Sequence, residues 1–123
     1  MKRTRADVQH LAEDWIDAWN AHDLDRIISH YAENVVFEAS TVVDRWGRED
    51  GRLIGRAEVR EQFRKGLELA PNAHFTLEGV FLAPSGYAVL YSRENGNRVI
   101  DRVILDDEGL AARVTAFYAA AQR

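Results

Sequence analysis

Trp15-Ile16-Asp17-Ala18-Trp19-Asn20-Ala21-His22-Asp23-Leu24-Asp25, running on to Tyr31-Ala32-Glu33-Asn34-Val35-Val36-Phe37, reads as a helix, a break, a second helix ending on a tyrosine, and then a strand. Upstream, Val8, Leu11, Ala12, Trp15 and Trp19 recur at steps of three and four, so the first helix covers about residues 5 to 20. Thr4 is placed to cap it, since a hydroxyl there can accept from an otherwise unpaired N–H of the first turn. Asn20-Ala21-His22 interrupts the pattern, and Asp23 caps a short helix with the stripe Leu24, Ile27, Ile28 and Tyr31. Val35 to Ala39 follows as a strand by its β-branched and aromatic content.

Residues 40 to 55 read as a long loop, rich in glycine and charge, that carries Trp46. Gly55 opens a third helix with Val59, Phe63 and Leu67 on one face, and Pro71 closes it. Four strands remain, His74 to Leu82, Tyr87 to Glu94, Asn97 to Asp106 and Leu110 to Tyr118, parted by turns at Pro84-Ser85-Gly86, Asn95-Gly96 and Asp107-Glu108-Gly109. Helices first and a meander afterwards predict one α+β domain over 1–123, with three helices on one face of a curved antiparallel sheet.

The composition narrows the function classes. The 123 residues are 46% hydrophobic and 29% charged, ordinary for a globular chain. A net charge of −4 leaves no basic stripe for nucleic acid, and Lys2, Arg3 and Arg5 read as a solvated terminus. No cysteine is present, which excludes disulfides and thiolate chemistry. No apolar run reaches a membrane span and the first residues lack a signal peptide's apolar stretch, so a cytoplasmic protein is expected. Arginine outnumbers lysine fourteen to two, which hints at a bacterial source.

The strongest hairpin signal is Asn95-Gly96, which suits a two-residue turn with positive φ at both positions. Such a turn pairs Glu94 with Asn97 and puts Ala88, Leu90, Ser92, Val99, Asp101 and Val103 on one face, taken as the interior. The opposite face then carries Tyr87, Val89, Tyr91, Ile100, Arg102 and Ile104. Both faces are apolar, and a homodimer through Tyr91, Ile100 and their neighbours is the expected cover for the second.

Asp101 is the carboxylate out of place, mid-strand between Val99-Ile100 and Val103-Ile104-Leu105. Burying an ionised carboxylate costs several kcal/mol unless it is paired, so it either finds partners or holds a proton. One reading makes it an acid of raised pKa in a pocket; the other makes it a structural aspartate satisfied by an arginine or a tyrosine hydroxyl. The remaining candidates weigh less. His10, His22, His30 and His74 show no metal-ligand spacing, and no cofactor is expected. His22 suits helix-start chemistry, His74 a surface position, and Glu38 faces away if Phe37 and Ala39 face inward. The glycines at 47, 51 and 55 lack the setting of a phosphate loop.

The opening helix pair and strand resemble the start of the nuclear transport factor 2-like superfamily, which includes ketosteroid isomerases and SnoaL-like polyketide cyclases. Gly51-Arg52-Leu53-Ile54-Gly55-Arg56-Ala57 with Val59-Arg60 is similar to the approach to the third helix in SnoaL-like proteins. Leu69 to Phe75 is similar to their helix exit and second strand, and Gly109-Leu110 to Tyr118 to their last strand. The resemblance implies a cone around one internal pocket. Against the isomerase pattern, Asp101 falls on the protonated oxyanion-hole aspartate and Tyr31 on a supporting tyrosine. Trp15 replaces the principal oxyanion tyrosine, Phe63 a further tyrosine of that network, and Ala39 the general base, which argues against steroid isomerisation. The cyclase subgroup uses an acidic residue as acid/base in a deep apolar pocket, a part Asp101 could take.

The expected pocket walls are Trp15, Trp19, Tyr31, Phe63 and Leu67 from the helices, with Phe37, Leu90, Val99, Val103, Val114 and Tyr118 from the strands. Core packing explains the helix aromatics as well as ligand stacking does. Arg45 and Trp46 are placed in a lid over the mouth. Two functions stay open. One is a cofactor-independent cyclase, isomerase or hydrolase acting on an aromatic or polycyclic carbonyl compound, with Asp101 as acid or base. The other is a ligand-binding or scaffold domain without catalysis.

Overall fold

The computed structural model describes residues 3–121, so the Lys2 part of the basic start lies outside the described residues. The chain runs α1 (Arg5–Asn20), α2 (Leu24–Ile28), β1 (Tyr31–Glu38), α3 (Ser40–Trp46), β2 (Arg52–Ile54), α4 (Arg56–Leu69), β3 (Thr76–Ala83), β4 (Gly86–Ser92), β5 (Arg98–Leu105) and β6 (Ala111–Tyr118). Thr4 caps α1 in a reciprocal box with Asp7: the Asp7 N–H donates to the Thr4 hydroxyl and the Thr4 N–H to the Asp7 carboxylate. Asp23 caps α2 through the Arg26 N–H.

The six strands form one sheet in the order β2-β1-β6-β5-β4-β3. The meander β3–β6 is antiparallel throughout, whereas β1 lies parallel to β6, with Phe37 beside Val114. The helices cover one face of this curved, open sheet, α1 lying across β3 and β4 and α4 against β1 and β2.

Three sequence expectations are corrected. Tyr31 begins β1 rather than ending α2. The expected loop 40–55 holds a helix and a strand. Its residues Thr41, Val42 and Val43 are poor helix formers and no side chain caps α3, so the helix rests on tertiary support, with Val42 fully buried. The third concerns register. The loop between β4 and β5 holds three residues, Glu94, Asn95 and Gly96, because Arg93 pairs with Asn97 through an N–H donated to the Asn97 carbonyl at 2.7 Å. Only Gly96 has positive φ (83°), so Asn95 does not adopt the two-residue turn.

That extra residue turns β4 over. Val89 opposes Asp101, Tyr91 opposes Val99 and Tyr87 opposes Val103, so Tyr87, Val89 and Tyr91 are buried and Leu90 lies on the outer face. A one-residue slip exchanges the two faces of a strand, and the observed register buries two tyrosines instead of an alanine and a serine. Gly86 holds the alignment tight: a Cβ there would stand 1.9 Å from the Val103 carbonyl oxygen.

Candidate functional site

Asp101 sits mid-β5 on the inner face, between Val89 of β4 and Ala116 of β6, and is 4% exposed. The methyl group of Ala116 leaves space beside the carboxyl that a larger neighbour would fill. The Tyr91 hydroxyl donates to Asp101 Oδ1 at 3.4 Å, a long bond. Asp101 has no salt-bridge partner among the described residues. Burial raises its pKa to about 7, and the Tyr91 hydroxyl opposes this only in part.

All four tyrosines of the chain feel this carboxyl. Burial raises the pKa of Tyr31, Tyr87, Tyr91 and Tyr118, and the negative charge of Asp101 pushes each further the same way. The hydroxyls therefore stay protonated donors at neutral pH. Tyr31 is fixed by Trp15, whose indole Nε1–H donates to its hydroxyl at 2.9 Å.

Beside Asp101 opens a cavity of about 120 Å³. Trp15 and Trp19 of α1, Phe37 of β1, Phe63 of α4, Phe75 ahead of β3, and Tyr91 form its buried wall; Thr41, Arg45, Leu69, Arg93 and Tyr118 also line it. The rings form a continuous network. Phe75 stacks on Trp19 (5.0 Å between centroids) and on Tyr91 (4.7 Å), and Phe63 meets Trp19, Tyr31 and Phe37 edge-on. Asn20 sets Phe75 in place, its side-chain amide donating to the Phe75 carbonyl (2.9 Å) and accepting from the Phe75 N–H (2.7 Å). His22 Nε2, bonded to the Ala73 carbonyl at 2.8 Å, braces the same segment. A second void of about 10 Å³, room for one water at most, is walled by Asp101, Trp15, His30, Tyr31 and Tyr87 among others.

Of the expected pocket walls, Trp15, Trp19, Phe37, Phe63 and Tyr118 line the larger cavity with Asp101, while Tyr31, Val103 and Val114 line the smaller void. Leu67 packs against the core, Val99 is buried away from both spaces, and Leu90 points outward by the register correction. Arg45 lines the cavity but Trp46 does not. The Trp46 indole N–H donates to Gln62 Oε1 (2.9 Å), and the Arg48 guanidinium lies over its ring.

Gln62, Phe75, Tyr87 and Tyr91 are the residues the sequence reading missed. Gln62 is buried and joins α4 to α3, its Nε2 donating to Thr41 Oγ1 at 3.0 Å. A helix stripe written Val59, Gln62, Phe63, Gly66 would have picked it out. Arg48 adds a bidentate pair to Glu58 (2.7 and 2.9 Å), which with the Ile54 N–H lowers the Glu58 carboxyl to about 2. His30 bonds Asp14, and the described residues hold no group of three or more side chains placed to bind a metal ion.

The family model of the SnoaL-like domain matches residues 12–122. A SnoaL-like protein of unknown function from Burkholderia thailandensis E264 is 31% identical, with a TM-score of 0.91 over 97% of this chain and 100% of its own. A protein of unknown function with a cystatin-like fold from Methylobium petroleophilum PM1 is 21% identical, with a TM-score of 0.74, covering 100% of this chain and 82% of its own. A provisional ketosteroid isomerase from Kribbella flavida DSM 17836 is 20% identical, with a TM-score of 0.73, covering 94% of this chain and 80% of its own. The last two likenesses bear on the fold alone. No curated protein matches the chain in sequence.

Proposed function

The chain belongs to the SnoaL-like domain family, and from that premise we propose that it takes a small carbonyl compound into the cavity, with Asp101 as the acid–base group. One observation carries this reading: a carboxyl poised to titrate near neutrality forms part of the wall of a largely aromatic cavity. Protonated, it donates a hydrogen bond to a carbonyl oxygen; ionised, it accepts a proton from the carbon beside that carbonyl. Asp101 is the only carboxylate lining the cavity among the described residues, so a reaction here uses one group that removes a proton and returns it elsewhere.

Size narrows the compound. An apolar cavity of about 150 Å³ holds benzene, so about 120 Å³ suits a single ring or a short chain rather than a polycycle. Steroid isomerisation is disfavoured, since the position that the isomerase pattern gives to its general base is Ala39, whose side chain cannot take a proton. The lack of a second carboxylate in the wall among the described residues favours binding without turnover as the alternative. Thermal shift and turnover assays with small aromatic ketones, on the wild type and Asp101→Asn, separate the two. Ligand shifts with turnover lost in the variant support the enzyme; shifts without turnover in either protein support a binding domain. No shift with any ketone sinks the pocket reading.

We also propose that two copies pair through the outer face of the sheet. Leu90, Ile100 and Phe117 stand directly across β4, β5 and β6, and the Phe81 ring folds over Gly79 beside them. Phe81, Ile100 and Phe117 are 60%, 41% and 51% exposed in the single chain. The surface differs from the expected one in that Tyr91 is on the inner face.

A further inference from the structure

The proposed ligand has a second chemical requirement, carried by two arginines. The cavity is largely aromatic and holds one carboxyl among the described residues, yet Arg45 from α3 and Arg93, just past β4, both line it. Burial pushes the Tyr118 hydroxyl up, and both guanidiniums act to pull it down, which puts their positive charges within electrostatic reach of one cavity hydroxyl. The two differ in how far they are neutralised: Arg93 has a carboxylate partner and Arg45 has none among the described residues. Arg45 has no ion-pair partner among the described residues, and its NH1 makes only a long bond of 3.4 Å to the Gln62 carbonyl. Arg93 donates to Glu94 twice, from Nε to Oε1 and from NH2 to Oε2, each at a long 3.3 Å, and that carboxylate also accepts the His74 N–H at 3.0 Å. The Arg93 guanidinium lies over the Phe75 ring, 5.3 Å from its centroid, which holds it at the cavity.

A chain of net charge −4 thus places two guanidiniums around an aromatic cavity whose only carboxyl among the described residues is deeply buried. Guanidinium groups match planar carboxylates by paired N–H donors. We propose that the ligand is a carboxylate: a single-ring or short-chain acid held at its charged end by Arg45 and Arg93, its apolar body among Trp15, Trp19, Phe63 and Phe75. This rests on the cavity reading above and names its ligand class. It also orients the ligand, with the carboxylate at the arginines and the remaining functional group toward Asp101.

Benzoate and benzamide test it, being nearly equal in shape and different in charge. Binding is followed by tryptophan fluorescence, because Trp15 and Trp19 both line the cavity, and by calorimetry. The wild type is expected to bind benzoate about tenfold or more tightly than benzamide, the range of a charge-assisted hydrogen bond. Arg45→Gln and Arg93→Gln should each lower that preference, and the double variant should abolish it, benzoate affinity falling far more than benzamide affinity. Arg93→Lys should keep part of it, and melting curves identify any variant that fails to fold. Equal affinity of the wild type for both compounds overturns the carboxylate assignment and leaves the cavity reading standing. Binding of neither compound overturns both.

Discussion

The inner and outer faces of β4, β5 and β6 are cut from alternate residues of the same strands, and each carries a charge among apolar neighbours. Asp101 points inward and Arg102, the next residue, outward. Inside, the carboxyl meets tyrosines, alanine and valine, and burial raises its pKa to about 7. Outside, Arg102 stands in water between Ala88 and Thr115. The chemical character of each charge comes from its side of the sheet, while the number of residues in the β4–β5 loop decides which β4 side chains stand beside it.

The contrast can be broken most severely at Gly86. A side chain there meets the Val103 carbonyl oxygen, so Gly86→Ala should cost about 3 kcal/mol or more by forcing β4 and β5 apart, as urea denaturation would show. Next come paired truncations. Tyr91→Ala, on the inner face, should cost about 3 kcal/mol as it empties part of the aromatic wall, while Leu90→Ala, its outward neighbour, should cost about 1 kcal/mol or less in a monomer. Equal losses in the same denaturation series would mean that the outer face is covered as fully as the inner.

Asp101→Asn tests the electrostatic half. The folded carboxyl titrates at about 7 against an ordinary value of 3.8, so the folded state holds more protons than the unfolded between those limits. The contribution of Asp101 to stability is therefore fully present below about pH 4 and is lost as the pH rises through 7. The asparagine variant should lack that fall, and at pH 8 should exceed the wild type by about 2 kcal/mol after allowance for its weaker fit. Identical pH profiles of melting temperature for the two proteins would show that Asp101 titrates as an ordinary carboxylate. The smallest effect on the fold is expected from Phe117→Glu, an exposed position: the melting temperature of the single chain should hold, while sedimentation should shift from two copies toward one. A wild type that sediments as a monomer throughout would remove the pairing proposal.

Most of the architecture was legible where local chemistry speaks alone. Thr4, Asp23 and Gly55 mark helix starts, the apolar spacing of α1 marks its length, and the turns of the meander fall where glycine, proline and asparagine cluster. Helix α3 was hidden because its residues favour strands and its support comes from Gln62 and the burial of Val42. Asp101 stood out because an acid amid β-branched residues is conspicuous in any register. Its tyrosine neighbours did not, because Asn95-Gly96 suits a two-residue turn locally while burial of Tyr87 and Tyr91 selects three residues globally. The site's polar centre was readable from composition; its surroundings depended on counting one loop.

The parallel pairing of β1 with β6 joins the second quarter of the chain to its last strand, Tyr31 lying beside Ala111. Contacts that distant in sequence form late, after the loop between them has been closed. On a ribosome, α1, α2 and β1 would emerge with Trp15 and Phe37 still lacking their partners on β4 and β6. The aromatic wall that receives a ligand in the finished protein is thus also the surface the nascent chain must shield longest from aggregation.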